Sequence, residues 1–170
     1  TDGALRMLVL LHFHVLGFNP IQLAYLFLLY EFAGIVTNLS AGWLASKFGL
    51  NIILFSGLIL QIISLLLLTQ VNENWTILAS VVFVMFVQGL SGVSKDLTKM
   101  SSKSAVKLLA PEKNTKLFKW VSFLTGSKNT VKGLGFFIGG LLLYLFDFQT
   151  SLVIMSIILF VVLIISYITI

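Results

Sequence analysis

From Leu152 to Ile170 the chain reads LVIMSIILFVVLIISYITI, 19 residues without a charge. A helix that crosses a bilayer needs about 20 apolar residues. Five more stretches approach that requirement. The first ends near Gly17, and the others cover residues 21–45, 52–69, 75–94 and 117–146, with the last filling 149–170. GFNP, SKFGLN, QVNEN and DFQTS make short polar turns between them. Pro20 suits the first turn of the second helix, where its missing N–H has no partner to lose. Only the fourth and fifth stretches are joined by a long connection, a basic segment at 95–116 in which Pro111 stops a helix. The expected fold class is all-α and transmembrane, with residues 1–170 forming one bundle of six helices.

Composition excludes the soluble alternatives. Charged residues make up 10% of the chain and the mean hydropathy is +1.06, whereas a soluble domain carries about 25% charged residues. There is too little polar surface to cover a water-soluble core. Cysteine is absent, which removes disulfides, thiol catalysis and Cys-based metal sites. His12 and His14 are two apart and point to different sides of a helix, so no metal pair is expected. There is no Ser–His–Asp set and no glycine-rich phosphate loop followed by Lys-Ser/Thr. An enzyme is not expected, and neither is a cofactor. The net charge of +5 would suggest nucleic acid for a soluble protein. Here the basic residues flank or interrupt apolar spans, so the lipid bilayer is the expected partner. The first residues lack an initiator Met and a signal-peptide n-region. The expectation is a fragment whose first helix is truncated.

Lysine placement sets the topology, since cytoplasmic connections collect Lys and Arg. Lys47 lies in the turn between spans two and three. Lys95, Lys99, Lys103, Lys107, Lys113, Lys116 and Lys119 lie between or beside spans four and five. The other turns carry only Glu73 and Asp147. The lysine-bearing even-to-odd connections, 2–3 and 4–5, are therefore expected in the cytoplasm, together with the amino terminus. The four lysines at 95, 99, 103 and 107 are each four apart, where like charges on a helix repel by roughly 0.2–0.5 kcal/mol per pair. Lys103 and Lys107 are expected to reach toward anionic headgroups. Lys95 and Lys99 sit near the membrane end of span four, where either lipid or a solute can claim them, and Asp96 can relieve part of their repulsion.

Some charges fall inside the spans. At a rise of about 1.5 Å per residue, Arg6, Glu31 and Lys132 lie near the middle of a ~30 Å hydrocarbon core. Lys128 is one turn nearer the cytoplasm. An ionised residue at a helix centre costs roughly 2.5–3.5 kcal/mol on insertion scales and normally faces a cavity or a partner. The bland reading is internal pairing, Asp2 with Arg6 and Glu31 with one of the lysines. It leaves cations over, because Arg6, Lys128 and Lys132 outnumber Asp2 and Glu31, and Lys95 and Lys99 can project into the same cavity. A surplus of buried positive charge suits a small polyanion, phosphorylated or multiply carboxylated. Asn129 beside Lys128 adds donors. Arg6, Lys95, Lys99, Lys128, Asn129 and Lys132 are therefore candidate substrate ligands, and Asp2, Glu31 and Asp96 candidate coupling or ion-pair groups. Gly133, Gly135, Gly139 and Gly140 offer close helix contact or bending in span five. Asn38, between Gly34 and Gly42, needs a partner across an interface. Trp43, Trp75 and Trp120 fall near span ends, as interfacial anchors do.

The turn AGWLASKFGLN resembles the signature turn of the major facilitator superfamily, G-x-x-x-D-R-x-G-R-R. Gly42 and Gly49 match, Lys47 stands for the arginine and Ser46 for the aspartate, and the trailing basic pair is lost. GLGFFIGG is similar to the glycine motif of antiporter members but lacks its proline. The longer blocks TDGALRMLVLLHFH, YEFAGIVTNLSAGWLASKFGLN, QGLSGVSKDLTKMSSKSAVKLLAP and LTGSKNTVKGLGFFIGG look like the organoarsenical efflux permeases of the ArsJ family. That resemblance implies a twelve-helix secondary transporter of which this chain is most of the amino-terminal six-helix half, set in a bacterial inner membrane. It also implies export of 1-arseno-3-phosphoglycerate, made by a partner glyceraldehyde-3-phosphate dehydrogenase, with arsenate resistance as the outcome. Export of another phosphorylated or multiply anionic metabolite is the alternative. A lipid-binding scaffold is the competing class outside transport.

Overall fold

The computed structural model describes residues 1–72, 74–109 and 114–169, apart from the side chains of Ala41, Lys103, Leu124 and residues 105–109 and 114–121. Lys107, Lys113, Lys116, Lys119 and Trp120 are thus outside the described side chains. The described chain is a bundle of six helices: α1 (Asp2–Val15), α2 (Pro20–Phe48), α3 (Leu50–Leu68), α4 (Ile77–Leu109), α5 (Asn114–Leu145) and α6 (Phe148–Thr169).

The helix ends follow from local chemistry. Gly17 takes φ 86°, a left-handed conformation that closes α1 with Gly17 N–H donating to the His14 carbonyl. Asn19 then caps α2 reciprocally: its side chain accepts from Gln22 N–H, and the Gln22 side chain accepts from Asn19 N–H, both at 2.9 Å. Gly49, at φ 83°, is the single residue between α2 and α3. The Thr76 hydroxyl accepts from Ala79 N–H at the start of α4. At α6 the Asp147 carboxylate accepts from the Thr150 hydroxyl.

Four of the six helices contain stretches long and apolar enough to cross a membrane: Pro20–Ser40, Leu50–Leu68, Ile77–Ser102 and Phe148–Thr169. α1 has 14 residues and α5 carries Lys128 and Lys132 along its length. α4 does not end where the lysines begin. It continues unbroken past Lys95 and Lys99 to Leu109, because nothing in that stretch stops a helix before Pro111 and because the first polar residues find partners inside the bundle. The outer faces are apolar, as on α6, where Ile157, Ile158, Ile165 and Ile168 are exposed. In a chain of this composition that surface belongs against lipid.

The packing divides the helices unevenly. α2 lies along α4, α4 along α3, and α3 against α6. α1 lies along α5 and touches α2 and α6 only lightly. Small residues make the close contacts. A side chain on Gly92 would strike the Tyr30 carbonyl, and one on Gly57 would strike the Thr98 hydroxyl. On the other side, Gly139 lies directly against the Ala4 backbone and Gly3 against the Lys132 carbonyl. α3 and α4 are also fastened in an antiparallel register by polar groups. The Ser101 hydroxyl donates to the Leu50 carbonyl, the Ser94 hydroxyl to the Gly57 carbonyl, both at 2.6 Å, and Gln61 pairs with Ser91. Leu5, Leu8, Val9, Phe13, Leu26, Leu65 and Leu152 fill the core.

Candidate functional site

The charged residues of α1, α2 and α4 converge where α1 meets the face of α2. Asp2 and Arg6 are one turn apart on α1. The Arg6 guanidinium donates to the Glu31 carboxylate at 2.5 Å, and its Nε lies 3.8 Å from Asp2 Oδ1. The hydroxyl of Tyr30, next to Glu31 on α2, donates to the same Asp2 carboxylate. The Tyr30 ring then becomes a platform for two cations. Arg6 Cζ and Lys95 Nζ each lie 4.3 Å from its centroid, close enough for the ring quadrupole to attract both. Lys95 comes from α4, and Gly92, three residues before it, lets the α4 backbone reach Tyr30.

Further along α4, Asp96 is 2% exposed and accepts from Lys99 at 3.3 Å. Gly34 of α2 lies against the Asp96 carboxylate, so α2 covers that pair.

The internal pairing differs from the expectation in its partners. Glu31 takes Arg6 rather than a lysine, and Asp2 is shared between Tyr30 and Arg6. Within the cluster itself the charges balance: Arg6, Lys95 and Lys99 face Asp2, Glu31 and Asp96, while Lys47 lies apart near the end of α2. The expected cationic surplus is not found in this cluster. It rests with α5, where Lys132 lies 5.9 Å from its own helix's Phe136 ring and Lys128 is exposed. Lys95, unlike Arg6 and Lys99, has the Tyr30 ring rather than a carboxylate as its close partner.

Other candidates stand apart from the cluster. Asn38 does not reach across an interface; its amide donates to the Gly34 carbonyl of its own helix at 2.9 Å. A polar side chain inside a helix that finds the i−4 carbonyl needs no neighbour. Gly42 has open space around it. Lys47 lies over the rings of Trp43 and Phe48, and Ser46 donates to the Trp43 carbonyl. Asn129 is exposed. Gly135 and Gly139 lie against α1, Gly140 meets only the tip of Leu11, and Gly133 faces open space. His12 stacks on Phe148 with centroids 3.9 Å apart and the rings 9° from parallel, while His14 is exposed.

Two residues escaped the sequence reading. Tyr30 looks like one more aromatic in an apolar span, although its place beside Glu31 was a usable signal. Gln88 is fully buried on α4, and neither its amide nitrogen nor its oxygen has a hydrogen-bond partner among the described residues. The Tyr30 contacts can be tested singly. Tyr30→Phe keeps the platform and removes the bond to Asp2, and is expected to cost about 0.5–1.5 kcal/mol in unfolding experiments in lipid nanodiscs. Tyr30→Leu, which also removes the ring from Arg6 and Lys95, should cost measurably more.

A network of this kind can hold an anion only by exchange. An incoming oxyanion must take Arg6 from Glu31, or Lys95 from the Tyr30 face. A family model described as Major Facilitator Superfamily matches residues 3–170. No curated protein and no solved structure matches the chain.

Proposed function

We propose, starting from the fact that the chain belongs to the major facilitator superfamily, that this secondary transporter carries a small polyanion past Arg6, Lys95 and Lys132. The family and the long apolar helices make it a multi-pass membrane protein. The observation that carries the anion reading is Lys95. It lies within the membrane stretch Ile77–Ser102, packed on an aromatic ring. A cation at such depth costs roughly 2.5–3.5 kcal/mol on insertion scales, and a site that must be vacated and refilled is a reason to keep it. Lys132 supports the same reading, since its backbone packs on Gly3 beside Asp2 and its ammonium lies over Phe136. Asp2 and Glu31 act as internal counter-ions that hold the cations when no solute is bound, and either can carry a coupling proton.

The finer reading is export of 1-arseno-3-phosphoglycerate from the cytoplasm across a bacterial inner membrane, giving arsenate resistance. Its support is the likeness of the long sequence blocks to the organoarsenical permeases, together with a ligand that carries several negative charges. The lysine-rich connection after α4 then faces the cytoplasm.

Cells producing the full-length protein and challenged with arsenate test this directly. Protection is expected only when a glyceraldehyde-3-phosphate dehydrogenase that forms the ester is present. Protection that ignores the dehydrogenase, or none at all, defeats the arsenical reading. The anion reading has its own test. Lys95→Gln and Lys132→Gln should each raise the KM for a phosphorylated solute by about tenfold, the loss of one charge-assisted bond. Unchanged transport in both variants would leave the lysines with only a lipid-facing role.

A further inference from the structure

Among the described residues, three buried side-chain nitrogen and oxygen atoms lack a hydrogen-bond partner: Arg6 Nε and both polar atoms of the Gln88 amide. A buried polar group left unpaired is destabilising, and a glutamine with neither end satisfied inside a span calls for a reason. The positions of the two residues are related. Gly89 of α4 lies against Leu29 of α2, Gly92 against Tyr30, and Asp96 against Gly34, so in this pair of helices each α4 residue sits level with the α2 residue 60 to 62 positions earlier. That register sets Gln88 level with residues 26–28 of α2, Phe27 among them. Arg6 Cζ lies 5.8 Å from the Phe27 ring. Arg6 and Gln88 therefore occupy one level of the bundle, just beyond the Asp2–Tyr30 bond. Gln88 also shares its helix face with Gly92, Lys95 and Lys99, at spacings of four, seven and eleven. It belongs to the same stripe of α4 that carries Lys95.

From this we infer that Gln88 and Arg6 Nε form a subsite for a hydroxyl group of the transported anion, beside Lys95 and the terminal guanidinium nitrogens of Arg6 that take its charges. The chemistry is complementary. A hydroxyl oxygen can accept from Arg6 Nε and from the Gln88 amide nitrogen, and its proton can be donated to the Gln88 amide oxygen. All three orphaned atoms are then satisfied by one group. A carboxylate or phosphate oxygen would meet the two donors but would face the amide oxygen without a proton to offer. Gln88 thereby acts as a specificity-determining residue. It favours a hydroxylated polyanion over one of equal charge that lacks the hydroxyl, because the latter leaves the buried amide unpaired.

The inference rests on the anion reading, and one pair of probes separates the two. 3-Phosphoglycerate and 3-phosphonooxypropanoate have the same charged groups and differ only in the hydroxyl at C2. Both are titrated against the purified full-length protein in nanodiscs, with affinity read by calorimetry and by ligand-induced thermal stabilisation. The wild type is expected to prefer 3-phosphoglycerate by about tenfold or more. Gln88→Leu, close in size and without polar atoms, should bring the two within about twofold. Gln88→Met repeats the measurement should the leucine variant not fold. Equal binding of the two probes by the wild type overturns the hydroxyl subsite and leaves the anion reading standing. Preserved discrimination in Gln88→Leu and Gln88→Met overturns it as well, and makes the amide the partner of an internal water. Binding of neither probe removes both the subsite and the anion reading.

Discussion

Arg6→Gln is expected to lower transport by about a hundredfold and to destabilise the folded protein together with it. The guanidinium is the donor to Glu31 and the cation beside Asp2. Without it Glu31 has no donor and Asp2 keeps only the Tyr30 hydroxyl. An uncompensated carboxylate within a span costs about 2.5–3.5 kcal/mol. The Glu31 side chain is 63% exposed, which puts the stability loss at or below the lower end of that range. Chemical unfolding in nanodiscs gives the stability loss and uptake into liposomes the transport loss. The double variant Arg6→Gln/Glu31→Gln tells a solute ligand from a structural partner. It removes both members of the pair, so stability should return to near the wild-type value while transport stays low. The non-additivity in stability is the pair's coupling energy. Recovery of transport in the double variant would show that Arg6 serves only to neutralise Glu31.

The second large effect is steric. Gly139→Ala drives a methyl group into the Ala4 carbonyl oxygen and to 2.8 Å from the Ala4 Cα. Both obstacles are backbone atoms, with no side chain to swing aside, so α1 and α5 must separate. Overpacking of this kind costs about 1–3 kcal/mol, and the upper end is expected here. Gly133→Ala, six residues earlier in the same motif, meets nothing within 4 Å. It should change stability by less than about 0.5 kcal/mol, or raise it by the better helix propensity of alanine. Thermal unfolding of the two variants side by side decides the matter. A loss at Gly133 as large as that at Gly139 would mean that the glycines serve bending rather than contact.

These two cases mark what could be read from the residues in advance. Helix number and class follow from apolar runs of bilayer length, a property of composition that no tertiary contact can overrule. The charged residues of α1, α2 and α4 were identifiable as a group because ionised side chains inside apolar runs are conspicuous. Their pairing was not. Whether Glu31 meets Arg6 or a lysine depends on how α1 rotates against α2, and the sequence carries no record of that angle. The glycines of α5 show the same limit. Gly133, Gly135, Gly139 and Gly140 are alike on paper, and only the partner helix separates contact from open space. Asn38 was misjudged because a short amide can be satisfied by its own helix. Tyr30 and Gln88 were passed over because a single aromatic or a single amide in an apolar run signals nothing until its neighbours are known.

The light contact between α1 and α2 has a consequence for how the bundle can move. Two leaves, one of α1 and α5 and the other of α2, α3, α4 and α6, are clasped at this level by the bonds of Arg6 to Glu31 and Tyr30 to Asp2. A solute that draws Arg6 away, as proposed, undoes one half of the clasp and leaves the Tyr30–Asp2 bond to hold the other. If Arg6 takes the solute as proposed, loading the carrier and loosening its joint are, at this point in the protein, one and the same chemical event.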